Sequence, residues 1–262
     1  MASPITLTRR LKKAGVRVLA AVVPAIYVAY MRLVYLTSRV DADEAVGVLT
    51  RRRDAGDNVV AASLHQGIFL IPYVLRELRA VAFTNVGDAG DLMAALLGRC
   101  NFQVVRGGSS SRASRQTPVV GRIIEAVRSR PSTEGCIVGS APDGSSGPAG
   151  AINAGLVLFS IRLNADIYCV HIQSKRSIHL NTWDRTAIPL PFNRIRVRVK
   201  GPFRINGKPT RNAMEAARLQ IEDAFHELHT EGFTSFGQTP VPTLSRVAPR
   251  RQRGQQRMEE QT

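Results

Sequence analysis

The sequence predicts an α/β fold: a single domain with a mostly parallel central sheet flanked by helices, and a membrane-associated helix at its N-terminus. Three observations predict it. Between residues 41 and 236, short apolar runs alternate with longer segments of helical period, the order that builds parallel sheets. The run Asn58–Leu64 is nearly continuous in apolar side chains, as a strand buried on both faces is. The chain of 262 residues, 44% hydrophobic and 21% charged, can bury a sizeable core, and these values exclude wholesale disorder.

The elements follow in order. Residues 41–53 predict a helix ending near Gly56, and 58–64 a buried strand. Residues 68–79 have a helical pattern, with Pro72 tolerable in a first turn. Then come a strand at 80–84, a helix at 88–97 and a strand at 102–105. A helix at 116–130, a strand at 136–140, a helix at 153–163 and a strand at 167–173 continue the alternation. Ile195-Arg-Val-Arg-Val-Lys200 alternates strictly, as a strand with one solvated face does. A last helix runs from Asn212 to about Thr230. Asn212 and Glu215 have capping-box spacing, and Met214, Ala217, Ile221, Phe225 and Leu228 form its stripe.

Both ends differ from this body. Residues 1–40 carry seven basic residues before the first acid, Asp41. Val18–Met31 is uncharged but short for a bilayer span, and no small-x-small cleavage site follows it. An interfacial helix fits better, with Tyr27, Tyr30 and Tyr35 at headgroup depth and Pro24 as a kink; a plain core helix is the alternative. Residues 237–262 are rich in Pro, Gln and Arg and read as a disordered tail.

The net charge of +16 favours partners that carry phosphate, either an anionic lipid surface or nucleic acid. Most of the basic residues are Arg, a bias that base composition alone can produce. A nucleic-acid binder would explain the charge, but aromatics are only 6% and no recognition motif is visible, so nucleic acid is disfavoured. Cys100, Cys136 and Cys169 are far apart and lack metal-ligand spacing. They support neither a disulfide framework nor a zinc site, and fit a reducing compartment.

Four loops follow predicted strands, where open parallel sheets place their sites. The first is His65-Gln66-Gly67; a histidine titrates near neutrality, and Gly67 marks a break after the strand. The second, Arg106-Gly-Gly-Ser-Ser-Ser-Arg112, suits a phosphate. Gly107 lets backbone N–H groups approach, Ser109 and Ser110 add donors, and Arg106 and Arg112 add positive forks. The third, Pro142-Asp-Gly-Ser-Ser-Gly-Pro148, puts Asp143 in a tight turn with Gly144 and Gly147; either its carboxylate positions a substrate hydroxyl or orients another group, or Asp-Gly simply makes the turn. The fourth runs through Lys175 to Trp183-Asp184-Arg185. Trp183 and Pro189–Phe192 form either a lipid-facing wall or ordinary packing. His171 and His179 are rival bases; His226 and His229 lie on the last helix and are expected at the surface.

Taken together, His65, Arg106–Arg112, Pro142–Pro148 with Gly155 downstream, and Trp183–Phe192 resemble the lysophospholipid acyltransferase superfamily. Within it they resemble a bacterial branch long catalogued as a domain of unknown function. The resemblance covers about residues 10–205. It implies an α/β acyltransferase at the cytoplasmic face of a bacterial inner membrane, peripheral or monotopic. Its donor would be an acyl thioester of CoA or acyl carrier protein, used as co-substrate, with no further cofactor or metal. Its acceptor would be a hydroxyl of a lysophospholipid, a lipid A precursor or a related lipid. His65 falls at the histidine of the superfamily's His-x-x-x-x-Asp motif and would be the base. Arg106 and its serines fall at the acceptor-phosphate block, and Asp143-Gly144 where other branches carry Glu-Gly. Gln66, Gly67, Gly144 and Gly147 would border the substrate. Leu70 stands where the motif's Asp is expected, so another group must orient His65, and Asp143 is the candidate. A non-catalytic membrane adaptor with this fold is the remaining alternative.

Overall fold

The computed structural model describes residues 4–107, 119–131, 134–144, 147–205 and 210–240, with side chains of the first helix from Ala20 onward. In chain order the elements are α1 (Pro4–Thr37), β1 (Arg39–Asp41), α2 (Asp43–Asp54), β2 (Asn58–Ala62), α3 (Ile71–Val74), β3 (Val81–Thr84), α4 (Asp88–Arg99) and β4 (Gln103–Arg106). They continue with α5 (Val119–Arg128), β5 (Ile137–Ser140), α6 (Gly155–Leu163), β6 (Ala165–Ser174), β7 (Ser177–His179), β8 (Ala187–Pro189), β9 (Arg194–Phe203) and α7 (Arg211–Thr234).

Seven strands form one sheet in the order β1-β9-β6-β2-β5-β3-β4. From β6 to β4 all neighbours are parallel, whereas β9 runs antiparallel to β6 and carries β1 parallel to itself. The mostly parallel sheet is therefore as predicted. Successive strand residues face opposite layers. In β2, Val59 and Ala61 join a core with Leu49 of α2 and Met31 of α1. Val60 and Ala62 join a second core with Ile123, Leu156 and Phe225 of α5, α6 and α7. Covered on both faces, β2 and β6 are buried almost throughout, which is why β2 reads as a nearly apolar run; β6 also buries Asp166, His171, Gln173 and Ser174.

Several elements differ from expectation for local reasons. The 68–79 segment is not one helix. A 3-10 turn at His65–Gly67 precedes it, the four-residue α3 and another 3-10 turn at Arg76–Leu78 divide it, and Arg79 ends it in the left-handed region at φ 49°. The last helix is capped by Thr210, whose Oγ1 accepts the Ala213 N–H at 3.2 Å, so Asn212 sits inside the helix. β1, β7 and β8 have three residues each, too few to show a period. The expected tail lies outside the described residues from 241 onward.

α1 is continuous through Pro24. Its window Ala20–Thr37 is long and apolar enough to cross a membrane, and 22% of it is buried against the domain. The tyrosines do not face outward as expected. Tyr27 is buried and donates to the Phe69 carbonyl at 2.8 Å; Tyr30 donates to the Pro189 carbonyl at 2.5 Å. Tyr35 packs edge-on against Tyr73. With Met31 and Val34 they form the inner face of α1, each buried aliphatic contributing about 2 kcal/mol of transfer free energy. The outer face is Val22, Ala25, Ile26, Ala29, Leu33 and Leu36, all exposed, at helical spacing.

Candidate active site

β2 and β5 are neighbours, and their register pairs Ala62 with Ser140. The pairing extends one step, with the Ser63 N–H donating to the Ser140 carbonyl at 2.9 Å. His65 and Asp143 each stand three residues past that matched pair, so two parallel strands deliver them side by side at their C-terminal ends.

The contact is multiple. The Nδ1 of His65 lies 2.7 Å from Asp143 Oδ1. The backbone N–H of His65 also donates to both carboxylate oxygens, at 3.2 and 3.1 Å. A carboxylate only accepts, so Nδ1 carries the hydrogen and Nε2 presents its lone pair. The Asp143 side chain is 1% exposed and that of His65 15%, so the carboxylate is enclosed and the imidazole reaches solvent at one edge. Leu70 is wholly buried in the core and takes no part.

The flanking turns explain their glycines. Gly144 and Gly147 both have φ 69°, a conformation side chains rarely adopt. A Cβ on Gly147 would come within 2.6 Å of the Trp183 ring. Trp183 lies between β7 and β8, which pair as a small antiparallel hairpin, and its ring centroid is 5.2 Å from that of His65. Asp184 shapes the hairpin tip by accepting from the Thr182 and Thr186 hydroxyls at 2.5 and 2.7 Å. Trp183 is thus partly exposed beside the imidazole, an arrangement that sequence spacing cannot reveal because 118 positions separate the two residues.

Gln66 and Gly67 border a narrow crevice beside this pair, together with His179 and Ala187. Larger cavities lie elsewhere, one of about 370 Å³ beside His171 and Arg196 and one of about 460 Å³ beside Arg39 and Arg176. Chemistry marks the His65 end in preference to volume, because the imidazole–carboxylate pair lies there.

Arg106 ends β4, three strands from β2, roughly 14 Å away at ordinary strand spacing. Its guanidinium pairs with Asp91 in the first turn of α4 and donates to Thr84 Oγ1 at 3.3 Å. Gly90 lets the first turn of α4 close onto Asn85, whose carbonyl a Cβ there would strike. Asp91 was not foreseen as the partner of Arg106. The Gly107 N–H donates to the Thr84 carbonyl at 3.1 Å. Ser109, Ser110 and Arg112 lie outside the described residues.

The rival histidines divide. His171 is buried beside His229, ring centroids 5.6 Å apart, and bonds Gln173 at 3.3 Å. Burial, then the neighbouring His229, lowers its pKa to about 3. His229 is 1% exposed, contrary to the expected surface position, because α7 turns that face onto β6. His179 Nδ1 is 3.3 Å from the Arg185 carbonyl. The three cysteines are free and buried, and burial pushes Cys100 up to about 11 and Cys169 to about 12, so neither offers a thiolate near neutral pH. Among the described residues, no group of three or more His, Cys, Asp or Glu gathers as a metal site requires.

No known protein-family model matches the chain. It is 25% identical over 188 residues to an uncharacterised protein of Rickettsia prowazekii (strain Madrid E), covering 70% of this chain and 81% of that one. A search of solved structures finds the 1-acyl-sn-glycerophosphate (LPA) acyltransferase PlsC of Thermotoga maritima. The TM-score is 0.45 at 12% identity, over 84% of this chain and 82% of that one. Function therefore rests on the site's own geometry.

Proposed function

We propose that the chain is a membrane-associated acyltransferase. It moves an acyl group from an acyl-CoA or acyl carrier protein thioester to a hydroxyl of a lysophospholipid, a lipid A precursor or a related lipid. The observation that carries this reading is the His65–Asp143 pair at the C-terminal ends of adjacent parallel strands. The order of the sequence motifs around it supports the same reading.

The chemistry needs a base for the hydroxyl proton and a way to return that proton to the leaving group. His65 Nε2 takes the proton from the acceptor hydroxyl as its oxygen attacks the thioester carbonyl. The tetrahedral intermediate collapses, the C–S bond breaks, and the imidazolium protonates the departing thiolate. Asp143 holds the ring in the required tautomer and stabilises the imidazolium while it exists. Arg106, fixed by Asp91, binds acceptor phosphate with Gly107, Ser109, Ser110 and Arg112. Gln66, Gly67, Gly144 and Gly147 border the reacting groups, the glycines keeping the backbone close. The exposed apolar face of α1 supports attachment to a membrane surface; the location assigned in this reading is the cytoplasmic face of a bacterial inner membrane, peripheral or monotopic.

The test compares lipid extracts of cells with and without the protein by mass spectrometry. A product heavier than its acceptor by one acyl chain, present only with the protein, is expected. Identical extracts, together with no transfer by the purified chain to any lipid acceptor offered, would favour the non-catalytic adaptor.

A further inference from the structure

Where α1 ends, a groove of about 460 Å³ opens between the end of β6 and the start of β9. Arg39, Lys175, Arg176 and Arg194 line it, and no acidic side chain does. Among the described residues none of these four cations makes an ion pair. Like charges gathered without compensation repel one another, so an anionic ligand gains from all four.

Phe192 stands on the rim, 72% exposed and at φ 56°. A bulky side chain rarely adopts that backbone, and in water this one gains nothing from it. The conformation is nevertheless fixed from both sides. The Phe192 N–H donates to Thr37 Oγ1 at 3.1 Å, and its carbonyl accepts from Arg176 Nη1 at 3.2 Å. The floor is rigid too. Asn193 is buried, and its Nδ2 donates to Ser174 Oγ, the Arg176 carbonyl and the Leu190 carbonyl at 2.7 to 2.9 Å. Its Oδ1 accepts the Arg176 and Arg194 backbone N–H groups at 2.9 and 2.8 Å.

The apolar stripe of α1 runs to this rim. Its last member, Leu36, is 84% exposed and adjoins Thr37, the residue that fixes Phe192. We infer that this groove and its Phe192 rim form a docking surface for an anionic lipid bilayer. Phe192, Leu33 and Leu36 enter the acyl layer, while Arg39, Lys175, Arg176 and Arg194 take lipid phosphates. A bilayer presents an apolar layer beneath a layer of phosphate, which matches an apolar ridge beside uncompensated cations. A nucleic acid would satisfy the cations but offers the exposed Phe and Leu side chains no apolar phase.

The surface lies at the catalytic end of the sheet. Register pairs Ala62 with Cys169 in parallel, so Lys175, just after β6 ends at Ser174, follows the same end of the sheet at which β2 leads into the His65 turn. Tyr27 and Tyr30 also tie α1 to Phe69, after the His65 turn, and to Pro189 of the Trp183 hairpin. Docking here therefore brings the His65 end to the lipid. The inference deepens the lipid-acceptor reading, but its test measures binding alone and stands or falls separately from acyl transfer.

The experiment is co-sedimentation of the full chain with vesicles of phosphatidylcholine alone, and of phosphatidylcholine and phosphatidylglycerol in equal parts. The side chains of Arg39, Lys175 and Arg194 make no hydrogen bond among the described residues, so Arg39→Gln/Lys175→Gln/Arg194→Gln leaves the internal bonding in place. It should bind the anionic vesicles about tenfold more weakly or worse, and the neutral vesicles as wild type does. A charge-matched control, Arg128→Gln/Arg162→Gln/Arg211→Gln, should bind both as wild type does. Phe192→Gly relieves the backbone, so it should melt at a higher temperature yet bind both kinds of vesicle several-fold more weakly. Wild-type binding by the groove variant, equal loss in the control, or unchanged binding by Phe192→Gly would overturn the proposal.

Discussion

Asp143 holds His65 twice, once through the ring nitrogen at 2.7 Å and once through the backbone N–H that carries the ring. The second contact ties the position of the turn to the same carboxylate that sets the tautomer. Asp143→Asn keeps an acceptor oxygen but loses the charge that stabilises an imidazolium. Its turnover should fall on the order of 10²- to 10⁴-fold, with KM for the thioester changed little. Steady-state kinetics with a labelled thioester checks this, and a variant near wild type would remove Asp143 from the chemistry.

Leu70 supplies the complementary test. It stands five residues after His65, where the superfamily that the sequence resembles carries an acid, but its side chain is wholly buried among the α1–α4 core residues. Leu70→Asp should therefore not restore activity to Asp143→Asn. It should destabilise the fold by about 3–5 kcal/mol, because an unpaired carboxylate would enter the core. Urea denaturation measures the loss, and a stable, reactivated double variant would contradict this arrangement.

Much of this was legible in the chain. The nearly continuous apolar run at 58–64 marked a strand covered on both faces, 167–173 marked another strand, and the loops after them marked the site's end of the sheet. Asp143 as the candidate partner of His65 followed from motif order, but its distance required the β2–β5 register, which no local pattern encodes. The pairings Arg106–Asp91 and His65–Trp183 were hidden for the same reason: each joins segments that only tertiary packing brings together. The α1 tyrosines were misread because an amphipathic helix with two apolar faces does not show which one meets the protein.

Trp183 is the only tryptophan in the chain, so its emission reports the site directly. Gly147→Ala would drive a Cβ to 2.6 Å from its ring at a backbone φ of 69°. The variant should lose about 1–3 kcal/mol of stability and shift the Trp183 emission, with lower turnover as the ring moves off His65. Unchanged emission together with unchanged stability would show that Gly147 has no such constraint.

Acid should weaken the fold through His171. Its folded pKa is lowered from 6.5 to about 3 by burial and then by His229, while Gln173 opposes the shift. Between those values the unfolded chain binds the proton and the folded chain does not. Stability is therefore full above pH 6.5 and falls as pH drops, by about 1.4 kcal/mol per pH unit. His171→Gln should flatten that part of the curve, measured by urea denaturation at several pH values. A slope equal to wild type would place the acid sensitivity elsewhere.

The central claim is that Nε2 of His65 removes the acceptor proton. The most direct measurement is the rate of acyl transfer from a labelled thioester to lipid acceptors by purified His65→Ala, with folding verified by Trp183 emission and circular dichroism. The predicted result is a folded protein whose turnover is lower by about 10³-fold or more. A folded variant that transfers acyl groups at a rate near wild type would contradict the claim.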